Sequence, residues 1–155
     1  MEFGGRYLLA ANRLEVWRAL NDTDILGAAI PGCRRIAWSG PDRLDLDVEV
    51  NLGVAHPVFR GELTLSNVTP AESYTLDGHG KGGLLGLAHG AADVALSDRN
   101  GGTELVFSAH GGASNRIMQI GKALIGHSAQ RVIDGFFERL AAAMNAEITV
   151  LEPEV

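Results

Sequence analysis

Three histidines, His79, His89 and His110, are the residues whose types could most directly do chemistry in this sequence. At the same end of neighbouring strands, three imidazoles would suit a zinc ion with one open coordination position. Such a site needs ligand geometry as well as ligand types, and a one-residue register slip reverses the face a strand residue occupies. Asp77 and Asp93 are the carboxylates that could orient them. Asp45, Asp47 and Glu49 form a second group, but they alternate with Leu44, Leu46, Val48 and Val50 and read as the wet face of a strand. Lys81 in Gly80-Lys81-Gly82-Gly83 lacks the spacing and the Ser/Thr of a phosphate loop. The single cysteine, Cys33, excludes an internal disulfide, suits a reducing compartment and has no activating partner in view. No nucleophile, base and orienter can be assembled. The expectation is therefore a chain without catalytic residues, intrinsic cofactor or assigned metal.

Composition narrows the classes further. The 155 residues fit one domain, in which folding buries roughly 70 % of the unfolded chain's surface. The net charge is −6, aromatic residues make up 6 %, and no basic cluster exceeds Arg34-Arg35, which argues against nucleic acid as a partner. No apolar run approaches the ~20 residues of a membrane-spanning helix. The stretch MEFGGRYLLAAN has an acid at position 2 and too short an apolar core for a secretory signal, so a cytoplasmic location is expected.

The elements that must position any site are legible from periodicity. Residues 2–10 read as a strand. Asn12 caps a helix over Arg13–Leu20, and Asp22 or Thr23 caps a second that must end before Pro31. Strands follow at 33–39, 43–52, 57–68, 73–79, 87–96 and 103–110. They are separated by Gly40-Pro41-Asp42, a turn at Pro70, a glycine-rich connection over 80–86 and a hairpin turn over 98–102. Residues 114–145 carry Ile117, Ile120, Leu124, Ile125, Val132, Ile133, Phe136, Phe137, Leu140 and Met144 at three- and four-residue spacing, one apolar helical stripe. A sheet with one apolar face and a long amphipathic helix must pack together, giving a two-layer α+β domain over residues 1–146. Residues 147–155 read as a short acidic tail.

A straight helix cannot fill a curved sheet along its whole length. The small residues Gly121, Ala123, Gly126, Ser128 and Ala129 put the expected gap at the helix's first half, while Phe136 and Phe137 fill the second. The candidate lining of a lipophilic ligand site is Val48, Phe59, Leu63, Leu65, Phe107, Ile117, Ile120, Gly121, Leu124 and Ile125. Gly82, Gly83, Leu84, Leu85, Gly86 and Leu87 would make a membrane-dipping or gating flap. A filled core is the alternative. An enzyme would need His110, Arg116 or His127 to converge inside the trough. A structural interaction module would use the sheet edge or the flap.

The block VWRALNDTDILGAAIPGCRRI, with its tryptophan helix, Leu-Asn-Asp and Ile-Pro-Gly-Cys, resembles the CoxG-like family, named for the G subunit of carbon monoxide dehydrogenase. Gly80-Lys81-Gly82-Gly83, the glycine turn before Thr103, and Gly121 ahead of a helix with paired phenylalanines are similar to it as well. The resemblance covers about residues 2–145. It implies the helix-grip fold of the START-like (SRPBCC) superfamily: a curved antiparallel sheet of about seven strands around a long C-terminal helix, with two short helices after the first strand. It also implies an accessory protein that binds a quinone or lipid and assists a molybdenum hydroxylase of the carbon monoxide dehydrogenase type, in peripheral contact with the inner membrane face. Some members carry a C-terminal extension for membrane attachment.

Overall fold

A computed structural model describes residues 2–49, 53–81, 87–113 and 122–151; for residues 2–3, 87–89, 110–113, 122–130 and 132 it describes the backbone alone. The elements run β1 (Glu2–Leu9), α1 (Arg13–Leu20), α2 (Thr23–Ala29), β2 (Cys33–Gly40), β3 (Arg43–Glu49), β4 (Val58–Thr69), β5 (Ser73–Lys81), β6 (Leu87–Arg99), β7 (Gly102–Ala113), α3 (Lys122–Ala143) and β8 (Ile148–Leu151). The strands form one antiparallel sheet in the order β2-β3-β4-β5-β6-β7-β1-β8. None of the helices, among the described residues, is long and apolar enough to cross a membrane.

Local chemistry accounts for the boundaries. Asn12 accepts a hydrogen bond from the Glu15 amide at 2.9 Å and so caps α1. Asp22 caps α2 by accepting from the amides of Asp24 and Ile25. At the exit of α2 the Cys33 amide donates to the Ile30 carbonyl across Pro31-Gly32, and Gly32 has φ +73°. Proline at the second position and left-handed glycine at the third define a type II turn. Asn100 and Gly101, with φ of 50° and 78°, make the β6–β7 hairpin turn. Helix α3 ends with Asn145 at φ 57°. The Ala146 amide reaches the Ala141 carbonyl and the Asn145 amide reaches Ala142, a Schellman closure.

The sequence expectations meet the structure closely for α1, α2 and the strands, with two differences. The glycine connection begins later than expected, because Gly80 and Lys81 still pair in β5. Residues 148–151, read as tail, instead form an eighth strand paired to β1. Its Ile148-Thr149-Val150-Leu151 run is too short to show periodicity, and the β1 edge supplies the pairing that fixes it.

Helix α3 packs on β1 and α2. The core joins Tyr7 and Leu9 of β1, Val16, Leu20 and Leu26 of the short helices, Val94, Leu96 and Leu105 of the central strands, and Phe137 and Leu140 of α3. Opposite this core, the outer face carries charges. Arg34 pairs with Glu49, Arg35 and Arg60 with Asp47, and Arg43 with Glu62. The acidic row of β3 is thus a solvated, ion-paired surface, as its alternation predicts.

Candidate functional site

Register shows where the sheet is thick and where it is bare. One inward row runs Gly5–Phe107–Val94–Tyr74 across β1, β7, β6 and β5. The next runs Ala109–Ala92–Leu76–Leu65. Beyond it come Gly111–Gly90–Gly78–Leu63–Leu44 and then Ala113–Ala88–Gly80–Gly61–Leu46. Over β5, β6 and β7 the inner surface therefore changes from large side chains to glycine and alanine alone. This is a floor beside the taller apolar residues of β3 and β4. Period-two alternation makes it continuous, since each small residue is followed two positions on by another.

The β4 wall leans over part of that floor. A Cβ on Gly78 would lie 2.9 Å from Leu63 Cδ2, and one on Gly80 would lie 2.4 Å from Phe59 Cε1. Gly80 has to be glycine for the Phe59 ring to rest there. Val48, paired with Phe59, stands further along the same wall and is half-buried. Leu65 is buried in the main core, and Phe107 packs partly against it.

At the border between the core and the floor sits a polar pair. The Tyr7 hydroxyl donates to Asp134 Oδ1 at 2.6 Å, joining β1 to α3. Tyr7 is 0 % exposed and Asp134 is half-buried. The phenol folds back along its strand, so its oxygen lies 2.5 Å from where a Gly5 Cβ would be. Burial first, then the hydrogen bond and charge of Asp134, push the Tyr7 hydroxyl well above the ordinary tyrosine range. An aromatic group closes the core side: Phe137 lies 4.5 Å from Tyr7, 5.5 Å from Phe107 and 5.0 Å from Phe136, ring centre to ring centre.

The remaining predicted residues fall as follows. Leu124 and Ile125 lie in α3 with only their backbone described. Ile117, Ile120, Gly121 and Arg116 lie outside the described residues, as do Gly82, Gly83, Leu84, Leu85 and Gly86 of the flap. Leu87 opens β6 opposite Lys81. His79 is exposed, with Nε2 3.9 Å from Glu62 Oε2. It pairs in backbone register with His89, while His110 pairs with Ala91, two residues further along β6. Among the described residues no group of His, Cys, Asp or Glu could hold a metal ion. Cys33 is half-buried, and burial raises its thiol pKa, the opposite of an activated nucleophile.

Sequence reasoning looked for the gap on the helix and missed the floor on the sheet. The signal was present: Gly78-x-Gly80, Ala88-x-Gly90-x-Ala92 and Ala109-x-Gly111-x-Ala113 are three period-two runs of small residues. Tyr7 and Asp134 were missed too. Asp134 stands between Ile133 and Phe137 on the apolar stripe, where a carboxylate needs a partner.

Comparison with known proteins agrees with this architecture. A conserved protein from Geobacillus kaustophilus has a TM-score of 0.83 at 20 % identity, covering 96 % of this chain and 99 % of its own. A protein from Chromobacterium violaceum follows with a TM-score of 0.73 at 12 % identity, covering 94 % and 99 %. The ZhuI aromatase/cyclase from Streptomyces sp. R1128 matches with a TM-score of 0.66 at 14 % identity, covering 94 % and 93 %. At these identities the likeness is one of fold, and that fold is the START-like helix grip. No curated protein matches the sequence. The sequence profile of CoxG, the G subunit of carbon monoxide dehydrogenase, matches residues 5–145, and the chain belongs to that family.

Proposed function

We propose that this protein is a non-catalytic accessory factor that holds a lipophilic molecule, a quinone or lipid, between its sheet and helix α3. In this reading it serves a molybdenum hydroxylase of the carbon monoxide dehydrogenase type at the inner membrane face. The observation that carries the reading is the glycine and alanine floor over β5–β7, flanked by Val48, Phe59 and Leu63. Membership of the CoxG family supports the accessory role. Small residues on a sheet face leave room for hydrocarbon, and apolar walls favour it over water. Native mass spectrometry and lipid extraction of protein purified from its own host test the proposal. A stoichiometric lipophilic adduct is expected. Protein that is repeatedly empty and fails to take up long-chain quinones would overturn it.

A further inference from the structure

Tyr74 carries a hydroxyl that the fold leaves unused. The residue is 6 % exposed, so more than nine-tenths of it lies inside the protein. Its ring meets Trp17 of α1 edge-on, at 5.3 Å between centres and 81° between planes, a contact of the carbon frame. Among the described residues no hydrogen bond reaches its oxygen. Tyr7 is the contrast, a buried phenol whose proton goes to Asp134. Burial and Asp134 together raise the pKa of Tyr7, whereas burial alone raises that of Tyr74. Every fully enclosed side-chain oxygen or nitrogen among the described residues has a partner, so the Tyr74 hydroxyl borders open space instead of packed protein. Its place gives that space a meaning. Tyr74 ends the last inward row of large side chains, Gly5–Phe107–Val94–Tyr74. Two residues on, Leu76 stands in the row of Ala92 and Ala109, where the small-residue floor begins. Tyr74 and Ala92 are therefore diagonal neighbours on one face, a separation that a long aromatic side chain spans.

We infer that the Tyr74 hydroxyl marks the inner end of the trough and donates a hydrogen bond to a carbonyl oxygen on the leading end of the bound amphiphile, as in a ketone, ester or quinone. This rests on the trough being the ligand site. A carbonyl takes the tyrosine proton and brings none of its own. A hydroxyl head brings a second proton, and one bond between two hydroxyls leaves one of the two protons over, among the apolar neighbours Leu76, Ala92 and Val94. A bare hydrocarbon end leaves the tyrosine proton unmet, in a poorly solvated place where an unmade hydrogen bond is costly. The site accordingly selects a carbonyl-headed chain over a hydrocarbon of the same shape.

The test uses two probes that differ only in a carbonyl against a methylene, dodecanophenone and dodecylbenzene, loaded onto the full chain from a cyclodextrin carrier and counted by native mass spectrometry. In Tyr74→Phe the affinity ratio of ketone to hydrocarbon should fall about threefold to tenfold, with dodecylbenzene binding kept. The resonance of a carbon-13 label at the ketone carbonyl should lie downfield of its position in hexane when bound to the unaltered protein, and return toward it in Tyr74→Phe. Because the hydroxyl has no partner in the fold, Tyr74→Phe should melt at or above the parent temperature. A clear fall in melting temperature would reveal a structural bond of that hydroxyl and overturn the inference. An unchanged ratio, a carbonyl resonance at its hexane position, or uptake of dodecylbenzene alone also overturns it, and each leaves the trough standing. Binding of neither probe overturns the trough reading itself, and the inference with it.

Discussion

The Tyr7 and Phe137 rings meet at 4.5 Å and an interplanar angle of 32°, a tilted aromatic contact that joins the first strand to the last helix beside the Tyr7–Asp134 hydrogen bond. Phe137 also touches Phe107 and Phe136, which makes it the hub of the interlayer packing. Phe137→Ala is expected to destabilise the fold by about 3–5 kcal/mol, read as a lower urea midpoint. A loss below about 1 kcal/mol would mean that the layers are held elsewhere.

Alkaline pH should attack the same interface. Tyr7 and Tyr74 are the protein's two tyrosines, and burial raises the pKa of both. A group whose folded pKa is raised contributes stability that is complete below its unfolded value, about 10 for tyrosine, and that is lost as pH rises through the folded value. Stability should therefore fall above pH ~10. Tyrosinate absorbance near 295 nm should appear together with unfolding. In a Tyr7→Phe, Tyr74→Phe protein the alkaline slope should shrink.

Acid should act through Glu104. Its carboxylate accepts from Arg6 and from Arg99, the latter at 2.7 Å, and the Arg6 hydrogen bond chiefly holds its pKa below the usual value. A depressed carboxylate gives stability that is present above its unfolded pKa and lost as pH falls through the folded one. Glu104→Gln should be less stable than the unaltered protein at pH 7, and the two should converge below about pH 4. Denaturant melts at several pH values read this directly.

Two backbone positions should respond with opposite sign. Gly32 has φ +73°, and a Cβ there would lie 2.3 Å from the Glu49 carbonyl oxygen, so Gly32→Ala should cost more than about 1 kcal/mol. Ala71 already sits at φ 61°, where an L side chain is strained. Ala71→Gly should be neutral or stabilising by about 0.5 kcal/mol, since the strain removed outweighs the added freedom of the unfolded chain. Thermal melts of the pair settle the contrast.

Filling the floor should separate binding from folding. Ala92 lies at its core-side edge, in line with Ala109 and Leu76. Ala92→Leu should abolish uptake of a long-chain amphiphile with a melting temperature within a few degrees of the parent. A collapse in melting temperature would show that the space above Ala92 is already packed.

The elements were legible because their signals are local. Asn12, Asp22 and Pro31-Gly32 fix the two short helices within a few residues, and the 43–49 alternation survives as a buried Leu44 and an ion-paired Asp47. Family membership was legible from the Ile-Pro-Gly-Cys block and its surroundings. For the candidate site, Phe59 and Leu63 are legible as apolar strand positions, but the floor beside them depends on which small residues align across β5, β6 and β7, and that is a matter of register. The Tyr7–Asp134 bond spans 127 positions, a partnership no window of sequence contains.

Strand β1 lies between β7 and β8, the two strands made last. During synthesis β1 thus has no neighbour to zip against until β7, about a hundred residues later, has been translated. Tyr7 and Leu9 therefore gain their strand neighbours only through pairings that close most of the chain into a loop, which makes the docking of β1 a slow, long-range step of folding.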